Sequence, residues 1–274
     1  GLSVGPDPSP RCQDGGMCGR YSQAKDPATL AEEFDAVDAT DGAWPGPDHN
    51  VAPTTTVVAV VDRHPRDESG RPDPQRLERS LRAMRWGLVP GWADDPKVGS
   101  RMINARSDSL TAKPAFRRAV KGRRCLLPAD GWFEWQRDGA RDRKVPYFIT
   151  LPGGQSLAFA GLWETWRPKD APKGTPPLIS TTVVTVDAAG PLTAIHHRMP
   201  LVLPAQRWRA WLDPDNEDPT DLLVPPPPEF LTALELRQVS RKVNNVANHG
   251  PELVEETLDE PEQVGLDLDV PATQ

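Results

Sequence analysis

The segment RCLLPADGWFEW, residues 124–135, is the clearest guide to the architecture. Its apolar residues lead to Asp130-Gly131, a pair that favours a tight turn, and an aromatic run follows. This pattern predicts a strand, a turn and a second strand. Further short apolar segments of strand type occupy residues 56–62, 81–90, 146–151, 157–164, 179–186 and 199–203.

Helical signals are few and short. The segment ATLAEEFDA, residues 28–36, predicts a helix, because Asp26 suits a cap and Pro27 suits the first turn. One or two helical turns are predicted at 115–120 and a short helix at 218–223. Residues 233–240 are predicted to begin as a helix and end as a strand. The 32 prolines disfavour long helices, and strands and helices do not alternate as a doubly wound sheet requires. We expect the α+β class, with an antiparallel barrel-like β core and short peripheral helices.

Composition divides the chain into three parts. Residues 1–16 are rich in Gly, Pro, Asp and Ser, and we expect a disordered extension that is absent from the mature protein. Residues 17–254 carry the strand signals and form a single predicted domain. Residues 255–274 are predicted to be an acidic disordered tail.

Composition also excludes several kinds of protein. No segment has 18 consecutive apolar residues and no secretory signal is visible, so we expect no membrane partner and a cytoplasmic location. Cys12, Cys18 and Cys125 lack metal-type spacing, so we expect no disulfide framework, no metal and no cofactor. We expect a monomer, and the Ala, Arg, Pro and Asp content suggests a bacterial source.

The net charge of −7 is unevenly distributed. Residues 251–274 contain eight acids and no Lys or Arg, so the preceding chain carries a small positive charge. Residues 101–125 hold eight basic side chains against Asp108 alone. Such a density attracts a phosphate backbone, although a solvated basic face is the more common reason for it.

Cys18 follows Met17 in the segment GGMCGRYSQ, residues 15–23. Most cysteines are small buried hydrophobes, and Cys125 in its apolar strand fits that role. If the mature chain begins at Cys18, this residue carries a free amine beside its thiol. Such a 1,2-aminothiol condenses with an aldehyde to a Schiff base, and the thiolate then closes a thiazolidine ring. The thiol could instead be the nucleophile of an amidase or peptidase.

Two further segments carry acid–base groups. Glu134 lies between aromatic residues, which favours desolvation and a raised pKa, but on a strand it could equally face outward. His196 and His197 in IHHRMP titrate near neutrality, although a merely hydrogen-bonded histidine is the more common case. Arg198, directly after them, suits a phosphate or a carboxylate.

Recognition groups occur in two other segments. MINARSD supplies Asn104, which can orient a nucleophile, and Arg106, which can fork onto phosphate. Capping of a helix is the alternative use of this loop. Trp86 and Trp92 flank a Pro/Gly loop, where an exposed indole can stack on a base, although core packing accounts for most tryptophans.

In this order the segments resemble the SRAP family, named for SOS response-associated peptidase. The resemblance extends over roughly residues 17–255, and it implies the SRAP fold. The motifs that carry it are MCGR, N-x-A-P-T from Asn50, RWGLVP, INAR-S, KPAF, RRCLLPADGWFEW, FAGLWE, H-x-R-M-P from His196 and a late VNN.

The family resemblance implies a nucleoid-associated DNA-damage protein. SRAP proteins bind single-stranded DNA with abasic sites, and their N-terminal cysteine forms a thiazolidine with the ring-opened sugar aldehyde, which protects the lesion. Carried over by motif, Cys18 would form this crosslink and Asn104 would orient it. Glu134 would serve as acid and base, and His196 would assist opening of the sugar ring. The implied DNA-binding residues are Arg20, Pro53, Trp86, Arg106 and Arg198.

Residues 1–16 depart from the family pattern, because a thiazolidine requires a free amine at Cys18. We expect the mature chain to begin there, after Met17 has been removed autocatalytically or by an aminopeptidase. Two other functions stay open. The first is a cysteine peptidase or amidase that acts on proteins, and the second is a non-covalent binder of single-stranded DNA.

Overall fold

The computed structural model describes residues 19–138 and 143–257 and confirms the α+β class. The predicted extension, Cys18 and residues 258–274 lie outside the described residues. The strands are β1 (Tyr21–Gln23), β2 (Val37–Asp38), β3 (Asp48–Val51), β4 (Thr56–Arg63), β5 (Glu78–Trp86), β6 (Asn104–Arg106), β7 (Arg124–Ala129), β8 (Gly131–Asp138), β9 (Arg143–Thr150), β10 (Leu157–Trp166), β11 (Leu178–Asp187), β12 (Arg198–Pro200) and β13 (Glu235–Gln238). The α-helices are α1 (Pro27–Phe34), α2 (Ala119–Gly122), α3 (Ala205–Leu212) and α4 (Pro228–Thr232).

The strands form two sheets. The larger has the order β12-β11-β10-β7-β4-β5-β2, and β6 joins it by pairing with β11. Strand β11 also pairs in parallel with β5, at Ser180↔Arg85 and Thr181↔Trp86, so five strands close into a ring. The smaller sheet has the order β13-β9-β8-β1-β3. The predicted barrel-like core is therefore confirmed.

The chain passes from one sheet to the other at Asp130-Gly131. The two predicted strands are present as β7 and β8, but they belong to different sheets, so the junction is not a hairpin. The Asp130 carboxylate accepts hydrogen bonds from the Ser22 hydroxyl at 2.7 Å and from the Ala24 amide at 2.8 Å. Gly131 packs so closely on Phe148 that a Cβ atom would overlap its ring. These contacts fix the junction against β1 and β9.

An aromatic cluster joins the two sheets. Tyr21 of β1 meets the rings of Trp86 and Phe159 edge-on, with centroids 5.1 and 5.8 Å apart. Trp132 of β8 meets Phe159 in the same way at 5.9 Å. Because all four side chains are almost fully buried, this packing attaches the first strand firmly to the core.

Helix α1 confirms the predicted helix and its cap. The Asp26 side chain accepts from the Thr29 amide at 3.0 Å, and Pro27 occupies the first turn. The helix ends at Phe34, two residues before the predicted end, because Asp35 turns left-handed with a φ of 49°. Helix α3 was not predicted from the sequence.

Helix α3 alters the interpretation of the basic segment. Arg124 was counted with the basic side chains, yet it is buried beneath this helix and is only 2% exposed. Its guanidinium donates to the backbone oxygens of Val120, Trp211 and Asp213. Burial lowers the pKa of Arg124 to about 10. The Arg124 side chain therefore caps the carbonyl groups at the ends of α2 and α3, and it does not contribute to a cationic surface.

The ordered chain continues slightly beyond the predicted domain boundary at residue 254. Glu256 forms a bridge with Val239, and the Thr257 amide donates to the Gln238 carbonyl at 2.9 Å. Residues 255–257 thus extend the edge of the smaller sheet and do not belong to a disordered tail. No helix among residues 19–138 and 143–257 has the length and apolar character to cross a membrane.

Candidate active site

Strand β1 lies between β3 and β8 and carries the residues that follow Cys18. Its register with β8 pairs Ser22 with Gly131 and Tyr21 with Trp132. The hydrogen bond from the Phe133 amide to the Arg20 carbonyl, 3.1 Å long, continues this register by one step. Glu134 is therefore the next residue along β8, opposite Gly19.

Gly19 marks where the described chain begins, next to Cys18. A Cβ atom on Gly19 would lie 3.6 Å from Ile103 Cδ1 and 3.7 Å from Pro53 Cγ. Asn104 follows Ile103 directly at the beginning of β6, where it pairs with β11 and is half-buried. Of the predicted residues, Pro53 thus lies beside Gly19, and Asn104 is the chain neighbour of Ile103, which also lies beside Gly19.

Glu134 and His196 line one small cavity. Glu134 is 5% exposed and shares an inward face with Trp132, which settles the alternation that the sequence left open. His196 follows a 3-10 turn, Gly190–Ala194, that brings it to the same cavity. The cavity is lined by Trp132, Glu134, Ile149, Leu192, Ile195, His196, Arg198 and Met199.

The imidazole of His196 is oriented by the backbone. Its Nδ1 lies 3.0 Å from the Arg198 amide and 3.2 Å from the Arg198 carbonyl. The shorter contact, in which the amide donates to Nδ1, favours the neutral tautomer with its hydrogen on Nε2. Burial is the main cause that lowers the pKa of His196 below 6.5, and nearby positive charges act in the same direction. The ring is therefore neutral at pH 7. His197 is exposed and lies against His196 with ring centroids 4.3 Å apart.

Gln136 holds the histidine turn against β8. Its Nε2 donates to the Ala194 carbonyl at 2.8 Å, which joins the strand of Glu134 to the turn that precedes His196. Sequence reasoning missed this residue. Alternation along β8 was the available signal, since Trp132, Glu134 and Gln136 occupy every second position of one strand face.

The predicted phosphate-binding arginines differ in their surroundings. Arg106 is open to solvent and forms an ion pair of 2.6 Å with Asp108, which raises the pKa of the arginine. Arg198 is 6% exposed, and it donates to Asp187 at 2.6 Å and to both oxygens of Thr185. Arg198 is therefore held largely by protein acceptors, whereas an exposed pair like that of Arg106 exchanges readily for a phosphate.

Arg20 joins the segment before β1 to β3 and to residues 243–244. The guanidinium donates to Asn50 Oδ1 at 3.1 Å and to the Val243 carbonyl at 2.8 Å. Asn50 is completely buried, and its amide group donates to the carbonyls of Asn245 and Asn248. The predicted contact of Arg20 with phosphate remains a prediction, but its hydrogen bonds fix the segment next to Cys18.

The structure does not support base packing by Trp86. This indole is 1% exposed, and its N–H donates to the Ile103 carbonyl at 2.9 Å. A ring inside the aromatic cluster has no free face for a base, so Trp86 supports the wall beneath Gly19 instead. Trp92, at the other end of the same loop, is 59% exposed.

The family model for SOS response associated peptidase (SRAP) matches residues 17–246. The chain belongs to the SRAP family. It is 34% identical over 239 residues to "Abasic site processing protein YoqW" of Bacillus subtilis, and the alignment covers 87% of this chain and 99% of that protein. "Abasic site processing protein HMCES" of Gallus gallus is 32% identical over 253 residues, with 83% and 70% covered.

Solved structures support the same SRAP fold. A Bacteroides thetaiotaomicron protein superposes with a TM-score of 0.71 over 88% of this chain and 100% of its own, at 21% identity. A Bordetella bronchiseptica protein superposes with a TM-score of 0.61 over 81% of this chain and 100% of its own, at 25% identity. The SRAP motifs meet around Gly19 and Arg20, because Asn50 and the VNN segment at 243–245 both hold the Arg20 side chain.

Proposed function

We propose that this SRAP protein crosslinks Cys18 to abasic sites in single-stranded DNA and so protects the lesion. The observation that carries the proposal is the register of β1 and β8, which sets the buried Glu134 opposite Gly19, the residue after Cys18. His196 lines the same cavity as Glu134. The names of the relatives, abasic site processing proteins, agree with this substrate.

The proposed reaction is a condensation that releases one water. The Cys18 amine adds to the sugar aldehyde carbon, and the carbinolamine loses its hydroxyl as water to give an imine. The thiol then adds across the C=N bond, so that sulfur bonds to carbon and the proton goes to nitrogen. The amine must be free, so the proposal requires cleavage of the bond between Met17 and Cys18.

Four side chains, Glu134, His196, Asn104 and Arg106, have proposed roles in this reaction. Glu134 protonates the departing hydroxyl and accepts the proton again from the amine, which is the work of a general acid and base. Neutral His196 donates from Nε2 to the ring oxygen as the sugar opens to the aldehyde. Asn104 orients the attacking group from β6, and the exposed Arg106 holds a flanking phosphate.

A denaturing gel tests the proposal. Mature protein is mixed with a single-stranded oligonucleotide that uracil excision has made abasic, and the sample is heated. We expect a heat-resistant shifted band that is lost in Cys18→Ala. Cys125→Ala is the matched control, because Cys125 is fully buried and its pKa is raised to about 12.

The alternatives give different results in the same experiment. Absence of the band with mature wild-type protein overturns the proposal. Turnover of a peptide substrate that depends on Cys18 would instead favour a cysteine peptidase. A shift under native conditions only would indicate non-covalent binding of single-stranded DNA.

A further inference from the structure

A second cluster of charged and aromatic side chains lies outside the proposed crosslinking site. Trp163 of β10 is 8% exposed and is flanked by two guanidinium groups. The Cζ atoms of Arg63 and Arg123 lie 5.2 and 5.4 Å from the centroid of its ring. These cation–π contacts hold both arginines in place at the ends of neighbouring strand segments.

Positive charge exceeds negative charge in this cluster. Glu164 forms an ion pair with Arg123. Across the described parts of the chain, no carboxylate comes within ion-pair distance of Arg63, although Glu78 is its partner in the strand register. Burial lowers the pKa values of Arg63 and Arg123, and the nearby charges of other arginines lower them further. A partly desolvated cation without a counterion favours the binding of an anion.

Further cations extend the cluster over the surface. Arg66 and Arg82 are close enough to lower the pKa of Arg63, and Arg118 does the same to Arg123. Arg118 in turn lines an open surface groove, together with the exposed side chains of Arg117 and Lys121. Together with Arg63 at the end of β4 and Arg123 before β7, these cations reach the segment around α2, and we call them the row of arginines.

Two acids, Glu217 and Asp218, line the same groove, where the three cations Arg117, Arg118 and Lys121 outnumber them. Asp218 accepts hydrogen bonds from the Thr220 amide at 3.2 Å and from its hydroxyl at 2.7 Å. These bonds hold the carboxylate in its own turn and lower the pKa of Asp218, so it stays charged. A repeating anion matches a row of arginines better than a single small anion does.

We propose that the row of arginines centred on Arg63 and Arg123 binds the phosphodiester backbone of a nucleic-acid strand outside the crosslinking site. This inference rests on the proposed function, since it supplies a contact for DNA beyond the lesion. The Trp163 ring is covered and cannot stack on a base. The contact is therefore with phosphates alone and is independent of sequence.

Arg63→Gln tests the proposal, because Arg63 is exposed and breaks no ion pair when replaced. Binding of undamaged single-stranded DNA is measured by fluorescence anisotropy at several salt concentrations, with oligonucleotides of about 30 and about 6 nucleotides. We expect the salt dependence of the long oligonucleotide, log K against log salt, to become shallower by about 0.7, as loss of one phosphate contact predicts. The short oligonucleotide should bind unchanged.

Two control variants make the result specific. Arg63→Lys keeps the charge and should retain the wild-type slope. Arg209→Gln removes an exposed arginine of α3 outside the cluster and should also leave the slope unchanged. A wild-type slope in Arg63→Gln, or the same loss in Arg209→Gln, overturns the proposal.

The heat-resistant crosslink separates this proposal from the proposed function. If wild-type protein crosslinks abasic DNA while Arg63→Gln keeps the wild-type slope, only the phosphate-binding row is wrong. If the salt-dependence slope of Arg63→Gln becomes shallower as expected but wild-type protein forms no crosslink, phosphate binding by the row is supported and the crosslinking function is wrong. At saturating DNA, Arg63→Gln should crosslink to the same final yield as wild type.

Discussion

Glu134 and Glu164 have the same local setting. Each follows an aromatic residue on a strand, and they are 5% and 6% exposed. In each case the next backbone amide donates to the carboxylate, from Trp135 at 3.3 Å and from Thr165 at 2.8 Å. From sequence alone, either could be taken for a desolvated acid–base group.

The two carboxylates differ in the side chains that other segments of the chain place beside them. Glu164 receives Arg123 as an ion-pair partner, and Arg123 also lies over Trp163. Glu134 instead lines a cavity with His196, opposite the residue that follows Cys18. The first arrangement pairs the carboxylate with a fixed cation, and the second places a carboxyl group beside a small cavity and a histidine. A buried glutamate between aromatic residues therefore acquires its role from tertiary contacts.

Replacement of Glu134 should have the largest effect. Glu134→Gln keeps the shape of the side chain but cannot exchange protons, so we expect the rate of crosslink formation to fall about 10³-fold. The melting temperature should stay close to that of the wild type. Single-turnover gels and a thermal melt measure the two quantities. A rate like that of the wild type would show that Glu134 has no part in proton transfer.

His196→Gln should have the next largest effect, about 10²-fold on the rate at pH 7. Because burial lowers the pKa of His196, the wild-type ring stays neutral down to a pH below 6.5. Protonation then places a hydrogen on Nδ1, which exchanges the hydrogen bond from the Arg198 amide for one to the Arg198 carbonyl, 3.2 Å away, and so shifts the ring. The ratio of wild-type to variant rate should thus decline below pH 6.5. A constant ratio from pH 5 to 8 would argue against titration of His196.

Glu164→Gln should change stability and leave the chemistry intact. Loss of the carboxylate leaves Arg123 unpaired, and we expect the free energy of unfolding to fall by about 2 kcal/mol, since partial exposure of Arg123 limits the cost. Urea denaturation measures the change. Glu235→Gln removes a more exposed ion pair with Arg237 and should cost only about 0.5 kcal/mol. Equal losses would contradict the structural role of Glu164.

Gln136→Leu should have the smallest effect. Loss of the hydrogen bond to Ala194 loosens the turn before His196, and about a fivefold decrease in rate is expected for one weak, exposed bond. The decrease in rate below pH 6.5 should remain, because His196 still titrates. Rates measured from pH 5 to 8 test this, and disappearance of the decrease would mean that Gln136 does more than position the turn.

Local sequence patterns predicted much of the fold. The apolar segments predicted the strands of the ring, and Asp26 with Pro27 predicted where α1 begins. The exchange of sheets at Asp130 could not be foreseen, because its side chain bonds to Ser22 and Ala24 in a strand that the sequence did not reveal. Strand β1 has only three residues, too few for a period to be visible.

The sequence predicted which residues belong to the candidate site better than it predicted which residues they contact. The family motifs named Glu134 and His196, and the structure brings both to one cavity. Burial of Trp86 was not foreseen, since Pro/Gly loops usually expose their aromatic residues. The partners of Arg20 were equally hidden, because Asn50 and Val243 are distant from it in the sequence.

The clasp between Arg20, Asn50 and residues 243–248 also bears on how the protein is made. A ribosome releases the first residues long before the last, so Arg20 and Asn50 emerge without their carbonyl acceptors. The segment beside Cys18 can be clamped only after residues 243–248 have been made. A truncated polypeptide that ends before residue 243 would lack this clamp, so correct seating of the segment beside Cys18 reports that synthesis has passed residues 243–248.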